Sequence, residues 1–318
     1  LPDPSTEREA PGDDVPAVHT SGLTKHYGRI EALAGLSMSV PRGEVFGFLG
    51  PNGAGKTTAV KLLLGLSAPT AGGGWLLGEP IGTPASRRRV GYLPELFRYP
   101  AWLSPAEVLA FHCRLTGVPR ASRTAEIEQR LAEVGLGDRV RDRIGTFSKG
   151  MQQRLGLAVA MLGSPQLVFL DEPTSALDPV GRHDVREVIR ALRSAGTSVF
   201  LNSHLLSEVE QVCDRVAVID HGRVVASGTL DDILGGGVAV RLHVTGLAGM
   251  AALLRRWGDV TVEGDWVTVR GVDSDAVADI VAALVARGGR VRAVEPQRVS
   301  LEDRFLQLLQ DGDHTMAS

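Results

Sequence analysis

Leu36, Met38 and Val40 alternate with small or polar residues, the period of a half-buried antiparallel strand. Continuous apolar runs follow at 45–49, 167–170, 199–201 and 216–219, each bounded by turn residues. Such runs predict parallel strands buried on both faces, with helices between them. Between 94 and 145 the period turns helical. Ser104-Pro105-Ala106-Glu107 forms a capping box with proline in the first turn, and Val108, Phe111, Cys113 and Leu115 follow as the helix body. A second helix is predicted from about Arg123 to Val134, stopped by Gly135. Met151, Leu155, Val159 and Leu162 recur at helical spacing and predict the core face of a third.

Gly235-Gly236-Gly237 marks a linker. Beyond it Val238, Val240, Leu242 and Val244 alternate as a strand, 246–257 is helical, and strands at 260–263 and 266–270 are joined by the hairpin turn Gly264-Asp265. A helix at 274–287 and a strand at 290–295 complete the order β-α-β-β-α-β, a ferredoxin-like split βαβ unit. Ser300-Leu301-Glu302-Asp303 caps a last helix reaching Leu309. The expected organisation is a disordered tail over 1–17, a first domain over 18–234 with a helical subdomain at about 94–165, the linker 235–237, an accessory domain over 238–310, and a tail over 311–318. The first tail is inferred from Asp3, Glu7, Glu9, Asp13 and Asp14 among prolines with few apolar anchors.

Composition narrows the class. A chain of 318 residues that is 43% hydrophobic supports one large core or two domains. Its net charge of −3 and pI near 6.3 leave no electrostatic footprint for nucleic acid. No apolar stretch approaches the ~20 residues needed to cross a bilayer, and the acidic, proline-rich opening is unlike a signal peptide. Cys113 and Cys213 lie far apart without metal-like spacing, as expected for two buried thiols in a reducing cytosol.

The chemistry begins at Gly50-Pro51-Asn52-Gly53-Ala54-Gly55-Lys56-Thr57-Thr58, which fits G-x-x-x-x-G-K-[ST] between a strand and a helix. Glycines let successive backbone N–H groups turn inward on an anion, and the new helix aims its free N–H groups at the same point. Lys56 would then bridge the β- and γ-phosphates of a nucleoside triphosphate, and the Thr57 hydroxyl would hold Mg²⁺. The run 167–170 ends in Asp171 and Glu172. Adjacent strand residues face opposite ways, so the two carboxylates divide the work: Asp171 for Mg²⁺, Glu172 to orient or deprotonate the attacking water.

With these residues in view, Phe147-Ser148-Lys149-Gly150-Met151-Gln152-Gln153-Arg154 resembles the signature motif of ABC ATPases. Ser175-Ala176-Leu177-Asp178 resembles the D-loop of that family, Asn202-Ser203-His204 its switch histidine, and Tyr27 stands where the family stacks an aromatic ring on adenine. The resemblance covers Val18 to about Leu234. It implies an α/β fold in which a P-loop ABC ATPase domain (parallel-sheet core, antiparallel β subdomain, helical subdomain) precedes the small ferredoxin-like domain. It further implies ATP and Mg²⁺ as cofactors, and a head-to-tail dimer in which Ser148, Gly150 and Asp178 of one chain meet the ATP held by the other. His204 would touch the γ-phosphate or hold the water of Glu172. Ser148 is suited to cap the following helix, and Gly150 to let a phosphate approach the backbone.

Three positions depart from the family pattern. Lys149 and Met151 replace the second Gly and final Gln of the LSGGQ form, where side chains point away from phosphate. Glu95, in Gly91-Tyr92-Leu93-Pro94-Glu95, stands where the family usually has the Q-loop glutamine. A carboxylate can ligate Mg²⁺ through oxygen, yet it adds negative charge near the γ-phosphate, so nucleotide affinity is expected to depend more on Mg²⁺. Val45–Leu49 with Gly50, the Gly91–Glu95 segment and the Ser-Leu-Glu-Asp helix most resemble ATPases of ABC-2 type exporters, the daunorubicin-resistance-like group. That resemblance implies separate membrane-spanning subunits as partners, a second ATPase subunit, no nucleic acid, and a place on the cytoplasmic face of the membrane. An importer ATPase with a regulatory C-terminal domain is the alternative, and a non-transport ABC ATPase a more distant one. The C-terminal domain could serve as a sensor or as a dimerisation surface.

Overall fold

The computed structural model describes residues 15–175, 177–234, 238–246, 250–272, 275–297 and 300–316. The segment 1–14, the linker 235–237 and Ala176 of the D-loop motif lie outside the described residues. Contacts divide the chain into two compact units, one ending at Ser227 and the other starting at Gly228.

The first unit opens with β1 (Val18–Tyr27) and β2 (Ile30–Val40), paired antiparallel with Val18 opposite Val40 and Tyr27 opposite Ile30. The alternation in β2 is the predicted one: Leu36 and Val40 are fully buried and Met38 nearly so. β3 (Val45–Leu49) leads through the glycine-rich loop to α1 (Lys56–Leu63), followed by β4 (Ala71–Leu76), β5 (Glu79–Pro80) and the single turn α2 (Pro84–Arg87). β4 pairs with the other side of β1, giving the sheet order β2-β1-β4-β5. Next come β6 (Val90–Leu93), α3 (Pro105–Leu115), α4 (Arg123–Glu133) and α5 (Lys149–Ala160). The unit is completed by β7 (Leu167–Asp171), α6 (Pro179–Ser194), β8 (Ser198–Asn202), α7 (Leu206–Val212), β9 (Arg215–Asp220) and β10 (Arg223–Thr229), whose last residues pass the division.

The central sheet has the order β10-β9-β3-β8-β7-β6, and β9, β3, β8, β7 and β6 pair parallel throughout. All four predicted apolar runs are therefore parallel strands, while β6 and β10, too short or too polar to stand out in the sequence, join them as flanking strands. One core spans both sheets. Leu23, Leu33 and Leu36 pack with Ala59, Leu62 and Leu63 of α1 and with Phe46, Phe48 and Phe169 around Phe200. The Phe200 ring centroid lies 5.6, 5.3 and 4.9 Å from those of Phe46, Phe48 and Phe169, within the range of favourable aromatic pairs.

The helical segment matches its caps. Ser104 and Glu107 make the reciprocal capping box of α3, and Gly135 ends α4 with a left-handed φ of 69°. The face of α3 emerges only in the structure, and the predicted face of α5 needs correction. In α3 the core takes Val108, Leu109 and Cys113, whereas Phe111 and Leu115 are exposed. In α5 Met151 and Val159 are only half-buried; Gln153, Leu155, Gly156, Leu157, Ala158 and Ala160 are the buried positions. That helix packs on β6 as well as on α3 and α4, so it has no single core face.

The second unit contains α8 (Leu230–Leu234), β11 (Val238–Thr245), α9 (Met250–Leu254), β12 (Asp259–Glu263), β13 (Trp266–Val272), α10 (Ala276–Ala286), β14 (Arg290–Gln297) and α11 (Leu301–Met316). Its sheet runs β12-β13-β11-β14, antiparallel at each pair, the predicted ferredoxin-like βαββαβ. Val240, Leu242, Val244, Val267, Val269, Ile280 and Leu284 form its own core. α9 ends at Leu254, short of the expected end at Trp257, and 247–249 lie outside the described residues. α11 runs past the predicted end at Leu309 to Met316, because no glycine or proline until Gly312 interrupts it and a single glycine costs a helix only about 1 kcal/mol.

Phe200→Ala should lower stability by about 3–5 kcal/mol, the usual loss for a buried aromatic ring. Urea unfolding of parent and variant, followed by circular dichroism, measures it.

Candidate nucleotide-binding site

β3, β7 and β8 are parallel and in register, with Phe48 opposite Asn202 and Asn202 opposite Asp171. Their C-terminal ends therefore deliver the glycine-rich loop, Asp171 and Asn202 to one edge of the sheet, where open α/β sheets bind ligands. Gly50 must lack a side chain, since a Cβ there would sit 2.3 Å from the Ile219 carbonyl oxygen. Gly55, the N-cap of α1, combines a φ of 104° with a site where a Cβ would lie 2.4 Å from the Ala32 carbonyl oxygen. The loop can thus lie flat over the sheet edge only with glycine at both places.

Lys56 is buried, and its ammonium donates to the carbonyls of Gly50 at 2.6 Å and Pro51 at 3.0 Å. The charge is thereby held over the loop. Burial lowers the Lys56 pKa, and the nearby carboxylates of Glu172 and Asp171 oppose that shift. Asp171 is buried and accepts from Asn202 Nδ2 at 2.5 Å. Burial pushes its pKa up, the Asn202 hydrogen bond acts against this, and the charge of Glu95 adds to it.

Glu172 is the one acidic residue with a left-handed backbone among the described residues, at φ 51°. A non-glycine residue held there stores roughly 1–3 kcal/mol of strain. Its N–H donates to Asn202 O at 2.8 Å. Its side chain turns to His204, whose Nδ1 lies 2.7 Å from Oε2 and whose backbone N–H donates to Oε1 at 3.0 Å. Burial raises the Glu172 pKa while the hydrogen bond and charge of His204 lower it. The two adjacent carboxylates accordingly face different partners, Asn202 for Asp171 and His204 for Glu172.

A cleft of ≈ 500 Å³ gathers Ile30, Glu31 and Ala32 with Asn52, Gly53, Gly55, Lys56, Thr57, Thr58, Glu95, Asp171, Glu172, Asn202 and His204. Among the expected residues, Gly50, Pro51 and Ala54 belong to the loop without lining the cleft. Tyr27 stands at the end of β1 opposite Ile30, about half exposed, with Lys25 Nζ 4.9 Å from its ring centroid. Ser148, Gly150 and Asp178 do not line this cleft. Ser148 caps α5 by accepting from the Met151 N–H, and Asp178 caps α6 by accepting from the Gly181 N–H. Ile30, Glu31 and Ala32 line the cleft with no motif to mark them, and Asn202 enters the sequence reading only as a neighbour of the switch histidine. The signal for Asn202 was available, since it ends an apolar strand as Asp171 does.

Among the described residues no group of three or more His, Cys, Asp or Glu side chains forms a ready-made metal cage. Mg²⁺ needs none, because it is commonly bound through one or two carboxylates plus substrate phosphates and water. The oxygen donors Thr57, Asp171 and Glu95 in one cleft, with Asp171 buried and harder to ionise than usual, fit such a cation.

Comparison with known proteins agrees with this geometry. Residues 33–175 match the family described as ABC transporter. An ABC transporter ATP-binding protein of Nostoc sp. (strain PCC 7120 / SAG 25.82 / UTEX 2576) is 40% identical over 95% of this chain and 90% of its own length. The linearmycin resistance ATP-binding protein of Bacillus subtilis (strain 168) is 33% identical over 92% of this chain and 97% of its own. The daunorubicin/doxorubicin resistance ATP-binding protein of Streptomyces peucetius is 41% identical over 71% of each. A solved ATP-binding subunit of an ABC transporter superposes with a TM-score of 0.64 at 32% identity, covering 68% of this chain and 91% of that one. The chain belongs to the ABC transporter ATP-binding proteins and is an ATPase subunit of that family.

Glu95→Gln should lessen the dependence of nucleotide binding on Mg²⁺, because it removes a negative charge beside Asp171. Titrating a fluorescent ATP analogue into parent and variant, with and without Mg²⁺, tests this; equal dependence in both refutes it.

Proposed function

We propose that this chain is the ATP-hydrolysing subunit of an ABC-2 type exporter, working as a dimer beneath separate membrane-spanning subunits on the cytoplasmic face of the membrane. Residues 18–234 would be the catalytic cassette and 238–310 the accessory domain. In this reading the loop 50–58 holds the triphosphate of ATP, with Lys56 at the β- and γ-phosphates and Tyr27 against adenine. Thr57, Asp171 and Glu95 hold Mg²⁺, which when bound neutralises phosphate charge. Glu172 accepts the proton of the attacking water, and His204 fixes the direction of that carboxylate.

The observation that carries the dimer is the division of the site. Lys56 and Glu172 share one cleft, while Ser148, Gly150 and Asp178 lie outside it. Ser148 stands exposed at the start of α5 with its capping bond already made, so it is available to phosphate held by a second chain. A membrane partner is supported by the exposed Leu96, Trp102, Phe111 and Leu115 in and before α3. No helix among the described residues is long and apolar enough to cross a membrane. Export is favoured by the relatives named for linearmycin and daunorubicin/doxorubicin resistance.

Glu172→Gln should bind ATP with Mg²⁺ and lose on the order of 10²–10⁴ in kcat, as removal of a general base does; it should accumulate as a dimer by size exclusion. Turnover at the parent rate overturns the base assignment. In the parent, the Glu172 carboxylate must be ionised to accept a proton, so kcat falls on acidification. With its pKa raised from 4.5 by burial, that fall should begin above the ordinary carboxylate range. A pH–rate profile reads it directly. Purification with its membrane chain, and a transport assay without an external solute-binding protein, distinguishes exporter from importer.

A further inference from the structure

Tyr27 ends β1 with a cation against its ring. The Lys25 ammonium lies 4.9 Å from the ring centroid, inside the range of a cation–π attraction. A lysine stem is flexible enough to leave such a place, but this one is tethered, because Nζ also donates to the carbonyl of Ala68 at 2.7 Å. Ala68 lies in the stretch that leaves α1, the helix that opens on the glycine-rich loop. The same stretch is fastened to the end of β1 at two neighbouring residues. The Thr70 N–H donates to the Thr24 carbonyl at 2.8 Å, and the Thr70 hydroxyl accepts from the His26 N–H at 3.0 Å. The three residues before Tyr27 are thus all bound to the stretch that leaves α1. Ile30, opposite Tyr27 in the strand pair, lines the nucleotide cleft, whereas Lys25 and Ala68 do not. The cation and its tether therefore leave the cleft clear. Tyr27 itself keeps 47% of its surface exposed, so a face of the ring remains open.

We infer that Lys25 is a positioning residue for the nucleotide base, its tethered ammonium holding the Tyr27 ring so that the open face is presented to adenine. An exposed aromatic side chain at a strand end otherwise moves among several rotamers, and ordering it on binding costs affinity. A ring already held does not incur that cost when the base stacks on it. The tether runs to the stretch leaving α1, so the ring is fixed in relation to the helix whose first turn meets the phosphates. The inference rests on the place given above to Tyr27 against adenine. It adds what holds the ring there, and Lys25 itself touches no nucleotide.

The test uses the full chain and titrates a ribose-labelled fluorescent ADP with Mg²⁺ into Lys25→Met, Lys25→Arg, Tyr27→Ala and the double variant Lys25→Met/Tyr27→Ala. Methionine keeps the apolar stem and removes the ammonium. Lys25→Met should weaken ADP binding roughly two- to fivefold, the worth of an exposed cation–π contact. Lys25→Arg keeps both the charge and a donor for Ala68, and should recover most of that loss. Tyr27→Ala should weaken binding roughly five- to a hundredfold, as loss of a stacking ring does. Once the ring is gone, Lys25→Met should have no further effect, whereas a lysine that only stabilised the strand would weaken binding equally in both backgrounds. The inference is overturned if Lys25→Met binds ADP as the parent does, if its loss is the same with and without the ring, or if Lys25→Arg loses as much as Lys25→Met. Parent affinity in Tyr27→Ala would instead reject the place of Tyr27 at the base, so the two failures are distinguishable.

Discussion

The parallel register of β3, β7 and β8 is the constraint on which the rest depends. Backbone hydrogen bonds set Phe48, Asn202 and Asp171 side by side. That alignment alone brings a loop at position 50, a carboxylate at 171 and a histidine at 204 to one sheet edge. The interlocked rings of Phe46, Phe48, Phe169 and Phe200 hold the same strands from beneath. A slip of one residue would reverse every side chain, and the site would be lost with the core.

On that edge the electrostatics are those of charges kept ready for a ligand. Lys56, Asp171 and Glu172 are all buried, and burial works against ionisation of each. Attraction between Lys56 and the two carboxylates offsets part of the cost, as do Asn202 for Asp171 and His204 for Glu172. In the proposed function, multiply charged phosphate with its cation would supply the remaining complement. The positive φ of Glu172 belongs to the same arrangement, since it turns the carboxylate out of the strand line toward His204.

Much of this was legible in the sequence because it is written locally. The capping box at Ser104 and Glu107, the hairpin at Gly264-Asp265 and the alternation of Val240, Leu242 and Val244 each depend on neighbours a few residues away, and each forms as expected. Which helix faces are buried is not written locally. Phe111 and Leu115 have core chemistry but stand exposed, because α3 meets its neighbours on another side. α5 defeats a periodicity argument because it is covered by β6, α3 and α4 at once.

The sequence by itself determined the buried parallel strands, the helices between them, the two-domain plan and the chemical types at the nucleotide site, since glycine spacing, caps and apolar runs act over a turn or a strand. Tertiary structure alone decided which of those groups meet. Strand register placed Asn202 on Asp171, a left-handed residue turned Glu172 to His204, and packing on α5 set the segment after β6 over Gly156. Each of these contacts joins segments dozens of residues apart, or depends on a backbone angle that no residue type dictates.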